Sequence, residues 1–134
     1  MKVLVGYNGS EAAKRALELA REHAKTYDAV VYVMTSMEGG SGERPRDIAQ
    51  AEDNLEYAMA FMAEAGIPCE SSQLARGMSP GEDLVRWAQE NEIDHIFLGI
   101  EKLSRLGKLL LGSTAQHIIL KAHCPVTTVK APKR

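Results

Sequence analysis

Two rhythms of apolar residues alternate along the chain. Val3-Leu4-Val5-Gly6-Tyr7 is a short unbroken apolar run closed by the turn cluster Asn8-Gly9-Ser10, the mark of a strand buried on both faces. Ala13, Ala16, Leu17, Ala20 and Ala24 then recur at helical spacing among charged residues, so a helix is predicted from near Ser10. Residues 29–34 are rich in Val and Tyr and read as a second buried strand. Residues 35–46, Gly-, Ser- and Glu-rich with a proline, are predicted as a loop. Ile48, Ala51, Leu55, Ala58, Met59 and Met62 mark a long amphipathic helix, with Gly66 placed as its C′ residue and Pro68 just beyond. Cys69 to Arg76 is polar and alternating, as suits an edge strand.

Ser79-Pro80-Gly81-Glu82 has the spacing of a capping box with proline at the first helical position. Leu84, Val85, Trp87 and Ala88 follow as its apolar stripe. Residues 93–98 form the fourth predicted strand, ending at Gly99. Ser113, with Gln116 as its box partner, opens a last helix carrying Ile118, Ile119 and Ala122, and Pro125–Val129 is the fifth strand. The strands are therefore expected near residues 2–7, 29–34, 69–75, 94–99 and 126–130.

Strict alternation of strand and helix predicts an α/β domain with a parallel sheet and helices on both faces. Right-handed crossovers leave few layouts, and a doubly wound, Rossmann-like sheet of order 3-2-1-4-5 is the natural one for five strands. At 134 residues, with no repeat, linker or low-complexity tract, residues 1–134 are expected to make a single domain. A net charge of −2, with both signs interleaved, predicts no nucleic-acid partner and no anionic membrane surface. Cys69 and Cys124 are too few for a disulfide framework and are expected to be reduced. The first apolar run is too short for a signal peptide and no stretch approaches a membrane span, so a cytoplasmic protein is expected.

In such sheets ligands sit beyond the carboxyl ends of the strands, where strand order reverses. Here that point falls between the first and fourth strands, where Asn8-Gly9-Ser10 meets the segment after Gly99. Ile100 to Leu111 is long for a βα connection. It carries Lys102, Arg105 and Lys108, with Gly107 and Gly112 permitting close backbone approach, and it leads into a helix N-terminus whose amides favour anions. These are parts of a phosphate cradle, although a solvated basic loop has the same composition. The general nucleotide motifs are absent: Gly107-Lys108 is followed by Leu109, and no Gly-x-Gly-x-x-Gly follows the first strand.

Gly99-Ile100-Glu101-Lys102 through Leu109-Leu110-Leu111-Gly112-Ser113 resembles the universal stress protein signature, Gly-x2-Gly-x9-Gly-Ser/Thr. His123-Cys124-Pro125-Val126-Thr127-Thr128-Val129 looks like that family's closing strand, Val5-Gly6-Tyr7-Asn8-Gly9-Ser10 like its opening strand and turn, and Arg76-Gly77 also fits. The resemblance spans the whole chain. It implies a homodimer and two subgroups, ATP binders and non-binders. Carried over, Gly99, Gly112, Ser113 and Thr114 would hold phosphates, and Val33, at the end of the second strand, would touch adenine. Two positions depart from the pattern: Lys102 replaces the second glycine and Asn8 replaces an aspartate. Lys102 can reach a phosphate or fill its space, and Asn8 can still hydrogen-bond a ribose or base edge. ATP, with magnesium as its companion ion, is the expected ligand.

The other chemistry-bearing residues have plainer readings. His23, His95, His117 and His123 lack metal spacing and are expected at or near the surface. Cys124 reads as a small core residue, as do Met34, Met59, Met62 and Trp87. No catalytic triad or carboxylate pair is visible, so a binding domain without turnover is expected, weak ATP hydrolysis aside. The expected function is a stress-response domain with ATP at the switch point. Its rival is a dimeric adaptor of the same fold that binds no nucleotide, and a third reading, a nucleotide α-hydrolase, would need a longer phosphate loop after the first strand. The homodimer is expected to form through the edge strand Val126–Val129, which no charge or proline interrupts.

Overall fold

The computed structural model describes residues 1–37, 44–103 and 106–132, with backbone only at 101–103 and 109. Among these residues the elements run β1 (Lys2–Gly6), α1 (Glu11–Tyr27), β2 (Val30–Ser36), α2 (Pro45–Glu64), β3 (Cys69–Leu74), α3 (Pro80–Glu90), β4 (His95–Gly99), β5 (Glu101–Leu103), β6 (Leu109–Leu111), α4 (Ser113–Lys121) and β7 (Val126–Val129). Five strands form one parallel sheet in the order β3-β2-β1-β4-β7. This is the expected 3-2-1-4-5 layout. Its fifth member is seventh in the chain because β5 and β6 pair antiparallel as a separate two-stranded ribbon.

Alternation along each strand divides the core in two. Val3, Val5, Val31, Val33 and Phe97 face α1 and α2, meeting Ala16, Leu17, Ala20, Leu55, Ala58 and Met62. Leu4, Met34, Ile96 and Leu98 face α3 and α4, meeting Leu84, Ala88, Ala115 and Ile118. With both faces covered, the central strands are continuous apolar runs, as parallel sheets require.

Helix α1 lies close to the sheet because its inner face is almost all alanine, with Ala12, Ala13, Ala16, Ala20 and Ala24 buried. The approach is tightest at Gly99. A Cβ there would lie 2.5 Å from the Ala13 amide nitrogen and 2.6 Å from the Ala12 carbonyl carbon. At the end of α2, Gly66 (φ 68°) closes a Schellman turn, its amide donating to Ala63 O (3.0 Å) and that of Ile67 to Met62 O (3.1 Å).

Four local expectations are corrected. The connection 100–111 is not all loop, since Glu101–Leu103 and Leu109–Leu111 pair. Strand β2 runs on through Thr35 and Ser36, and α2 already starts at Pro45. Ser113 is the first residue of α4 rather than its cap. Gly112 is the N-cap, so no Ser113–Gln116 box forms. Ser79 caps α3 by position, but its hydroxyl bonds the Glu82 carboxylate (3.1 Å) instead of a backbone amide. Residues 38–43, like Ser104, Arg105, Lys133 and Arg134, lie outside the described residues.

Strands β3 and β7 form the sheet edges. The amides of Ile96 and Ile100 donate to the carbonyls of Pro125 and Val129, each at 3.0 Å. Residues 125, 127 and 129 therefore turn their backbone groups toward β4, and Val126 and Thr128 turn theirs outward. Among the described residues no helix is long and apolar enough to cross a membrane.

Gly99→Ala is expected to destabilise the fold by about 1–3 kcal/mol, because the methyl group meets backbone that cannot rotate away. Thermal melting checks this. A variant that melts with the wild type would show that α1 can shift outward at no cost.

Candidate functional site

The first wall of the candidate site is the end of β1 and the turn after it. The Tyr7 amide continues the sheet by donating to Met34 O (3.0 Å). Asn8 Oδ1 accepts from the Ser10 amide (3.0 Å), which folds the turn over Gly9 (φ 79°). Ser10 Oγ then accepts from the Ala13 amide (3.1 Å) as the N-cap of α1. Helix α2 braces this turn. Asn54 Nδ2 donates to Asn8 O (3.3 Å), while Gln50 Nε2 donates to Asn54 Oδ1 (3.1 Å). A Cβ on Gly9 would collide with that Asn54 amide at 2.6 Å.

The second wall comes from β2. Thr35 Oγ1 donates to Tyr7 O (2.6 Å), and Ser36 Oγ donates to Asp83 Oδ2 (2.8 Å). Asp83, on α3, is fully buried. Arg76 Nε donates to its Oδ1 (2.5 Å), Arg76 Nη2 to its backbone carbonyl (3.2 Å), and Arg76 Nη1 to Glu90 Oε1 (3.1 Å). These bonds raise the Arg76 pKa above its ordinary value, the Asp83 side-chain bond most of all.

The third wall is the start of α4. The first intrahelical bond runs from the Gln116 amide to Gly112 O (2.9 Å). The amides of Ser113, Thr114 and Ala115 come before it and have no intrahelical acceptor. Gly112 has ordinary extended dihedrals (φ −68°, ψ 154°) and open space around it, with nothing within 4 Å of a built Cβ.

These walls enclose a cleft of about 570 Å³, within the usual range for small-molecule sites. It lies where β1 and β4 diverge, the place the topology predicts. Asn8, Gly99, Gly112, Ser113 and Thr114 all line it. Val33 does not. It is 0% exposed within the α1/α2 half of the core, short of the strand's end, and Met34, Thr35 and Ser36 line the cleft instead. The side chain of Lys102, like Arg105, lies outside the described residues, and Lys108 is exposed.

The sequence reading missed Tyr7, Thr35, Ser36 and the Asp83–Arg76 pair. Tyr7 had a signal, a polar tip ending an apolar run. Asp83 had none, because its partners stand 7 and 47 residues away. Tyr7 is 3% exposed. Burial pushes its pKa up to about 12, with the nearby Tyr57 and Glu11 adding to the shift.

A parallel sheet of this order, with an open cleft and a helix start at its switch point, defines a Rossmann-like α/β domain. Residues 1–130 match the universal stress protein family, and the chain belongs to that family. A universal stress protein of Thermus aquaticus is 33% identical over 135 residues, covering 96% of this chain and 97% of its own. A universal stress protein structure from Archaeoglobus fulgidus is 36% identical with a TM-score of 0.84, covering 96% of each chain. A structure of the universal stress protein from the same organism in complex with dAMP is 33% identical with a TM-score of 0.78, covering 96% of this chain and 95% of that one.

Tyr7 should ionise near pH 12 in the folded state, against about 10 when unfolded. Unfolding then releases a proton between those values. The contribution of Tyr7 to stability is intact below about pH 10 and lost as pH rises toward 12. The difference in phenolate absorbance between wild type and Tyr7→Phe should show one group titrating near 12. A midpoint near 10 would mean that Tyr7 is open to water.

Proposed function

We propose that the cleft binds an adenine nucleotide, ATP with its magnesium, and that the protein acts as a stress-response regulator through occupancy rather than turnover. The observation that carries this reading is the α4 start, where the Ser113, Thr114 and Ala115 amides open onto the cleft beside an unobstructed Gly112. Helix N-termini of this kind favour phosphate. The dAMP complex of the 33%-identical relative supports a nucleotide in the same fold. Among the described residues lining the cleft none is a carboxylate. Magnesium would thus be held by phosphate oxygens and the Ser10 and Ser113 hydroxyls. Among the described lining residues the one titratable side chain is Tyr7, a phenol with its pKa near 12, far from a general base at neutral pH. That supports binding without hydrolysis.

Calorimetry with ATP and AMP tests the reading. Gly112→Val places its side chain in open cleft space without an internal clash, so the fold should persist while affinity falls at least roughly tenfold, the loss of one or two phosphate hydrogen bonds. A wild type with no affinity below millimolar would favour the dimeric adaptor.

We also propose a homodimer through β7. Val126 and Thr128 present outward backbone groups on an edge that no charge or proline interrupts, and a two-fold axis lets such an edge pair with its own copy. Thr128→Pro deletes one outward amide and should give monomers by light scattering at micromolar concentration. An unchanged mass would place the interface elsewhere.

A further inference from the structure

We propose that the outer edge of β3, with the groove between it and α2, docks an extended segment of a partner protein as an added strand, and that lysine or arginine at alternate positions of that segment supplies the recognition. The groove shares no lining residue with the cleft at the switch point, so the inference does not rest on the nucleotide reading.

Strand β3 pairs with β2 on one side only, in the register Val31↔Cys69 to Ser36↔Leu74. The Val31 amide donates to Pro68 O (2.9 Å) and the Met37 amide to Leu74 O (2.7 Å). Residues 68, 70, 72 and 74 therefore turn their backbone groups to β2, and Cys69, Ser71 and Gln73 turn theirs away from the sheet. The Ser72 hydroxyl donates to Gln73 O (3.4 Å), which leaves that carbonyl its second lone pair. Lysine and proline are the usual devices that blunt an edge, and neither occurs within Cys69–Leu74. Such an edge is a template for strand addition, in which main-chain bonds give affinity and the pockets for alternate side chains give specificity.

The groove decides which strand fits. It holds about 510 Å³ between β3 and α2. Cys69 packs on the α1/α2 half of the core, so Ser71 and Gln73, in the same phase of the strand, also turn their side chains to α2. Opposite them, Leu55 and Met59 present apolar carbon and Glu52 and Glu56 present carboxylates, and among the described residues no cation lines the groove. Glu52 and Glu56 stand one helical turn apart, about 6 Å along the axis. Side chains on one face of an added strand recur every roughly 6.6–6.8 Å. Basic residues at i and i+2 can thus each meet one carboxylate, with their aliphatic stems on Leu55 and Met59. The same charges argue against a second copy of β3 as the occupant. Glu70, the one charged residue of the strand, is exposed, and pairing this edge with itself would set like charges side by side.

The probe is a short blocked peptide of alternating lysine and threonine that carries a fluorophore, titrated with the full chain and read by anisotropy. It should bind roughly tenfold or more tighter than its glutamate counterpart, since like charges across an interface repel. It should also bind tighter than a peptide of the same composition with its lysines in one block. Glu52→Gln together with Glu56→Gln should weaken it about three- to tenfold, the loss of two exposed ion pairs, and reduce its salt dependence. Ser71→Pro removes an outward amide without touching the ladder to β2, and should abolish binding in a protein that thermal melting shows to be folded. N-methylated peptides make the same test on the wild type. With methyl groups on the lysine amides in one peptide and on the threonine amides in another, one should bind and the other should not, because a single set of amides faces β3. Equal binding of those two peptides, equal binding of the lysine and glutamate peptides, or no binding of the lysine peptide to the wild type would overturn the inference.

Discussion

Helix α1 can lie across β1 and β4 only because Gly99 has no side chain and the inner face of the helix is alanine. That contact brings the Ala12–Ala13 peptide to where a Cβ of residue 99 would be, and the rest of the site follows from it. It sets the Ser10 cap at the rim of the cleft and leaves the end of β4 open. The chain leaving Gly99 must then turn out through the β5–β6 ribbon before it returns at Gly112. A larger residue on either surface would lift the helix and separate the turn after β1 from the start of α4.

The opposite side of the cleft is held by polar bonds. Asp83 is fully buried, which for a carboxylate is tolerable only with good partners. Arg76 and Ser36 supply them from two other elements, so one carboxylate joins the end of β2, the segment after β3 and the first turns of α3. Since Thr35 is tied to the carbonyl of Tyr7, the ends of β1 and β2 are also locked together. The ends of β1 and β2 and the start of α3 are thus tied to one another by bonds within the protein.

The sheet was legible in the sequence because its signals are local. Apolar runs such as Val3–Val5 and Val30–Val33, the Ser10 turn and Gly66 each act over a few residues, and the parallel order follows from their alternation with helices. The glycine-loop side of the cleft was legible for the same reason, as Gly99, Gly112 and Ser113 belong to one contiguous stretch. The β2 side was not. Whether Val33 or the residues after it line the cleft depends on where β2 ends, and the strand continues to Ser36. Asp83 stands in the first turn of α3, where any acidic residue is favoured by the helix dipole, and only the tertiary fold shows it turned inward. The β5–β6 ribbon was hidden because three-residue strands carry little periodic signal.

The cleft is lined by four separate stretches of chain, around residues 6–10, 34–36, 98–100 and 112–115, with α3 completing it. No fragment carries more than a part of it, so it exists only when β1, β2 and β4 are assembled with α3 and α4. Occupancy and folding are then one linked equilibrium. A ligand held here stabilises the entire chain by mass action, in proportion to the logarithm of its concentration over its dissociation constant. It also slows whatever depends on global opening, amide exchange and proteolysis among them. In a cell, the lifetime of such a protein would follow the concentration of what fills its cleft.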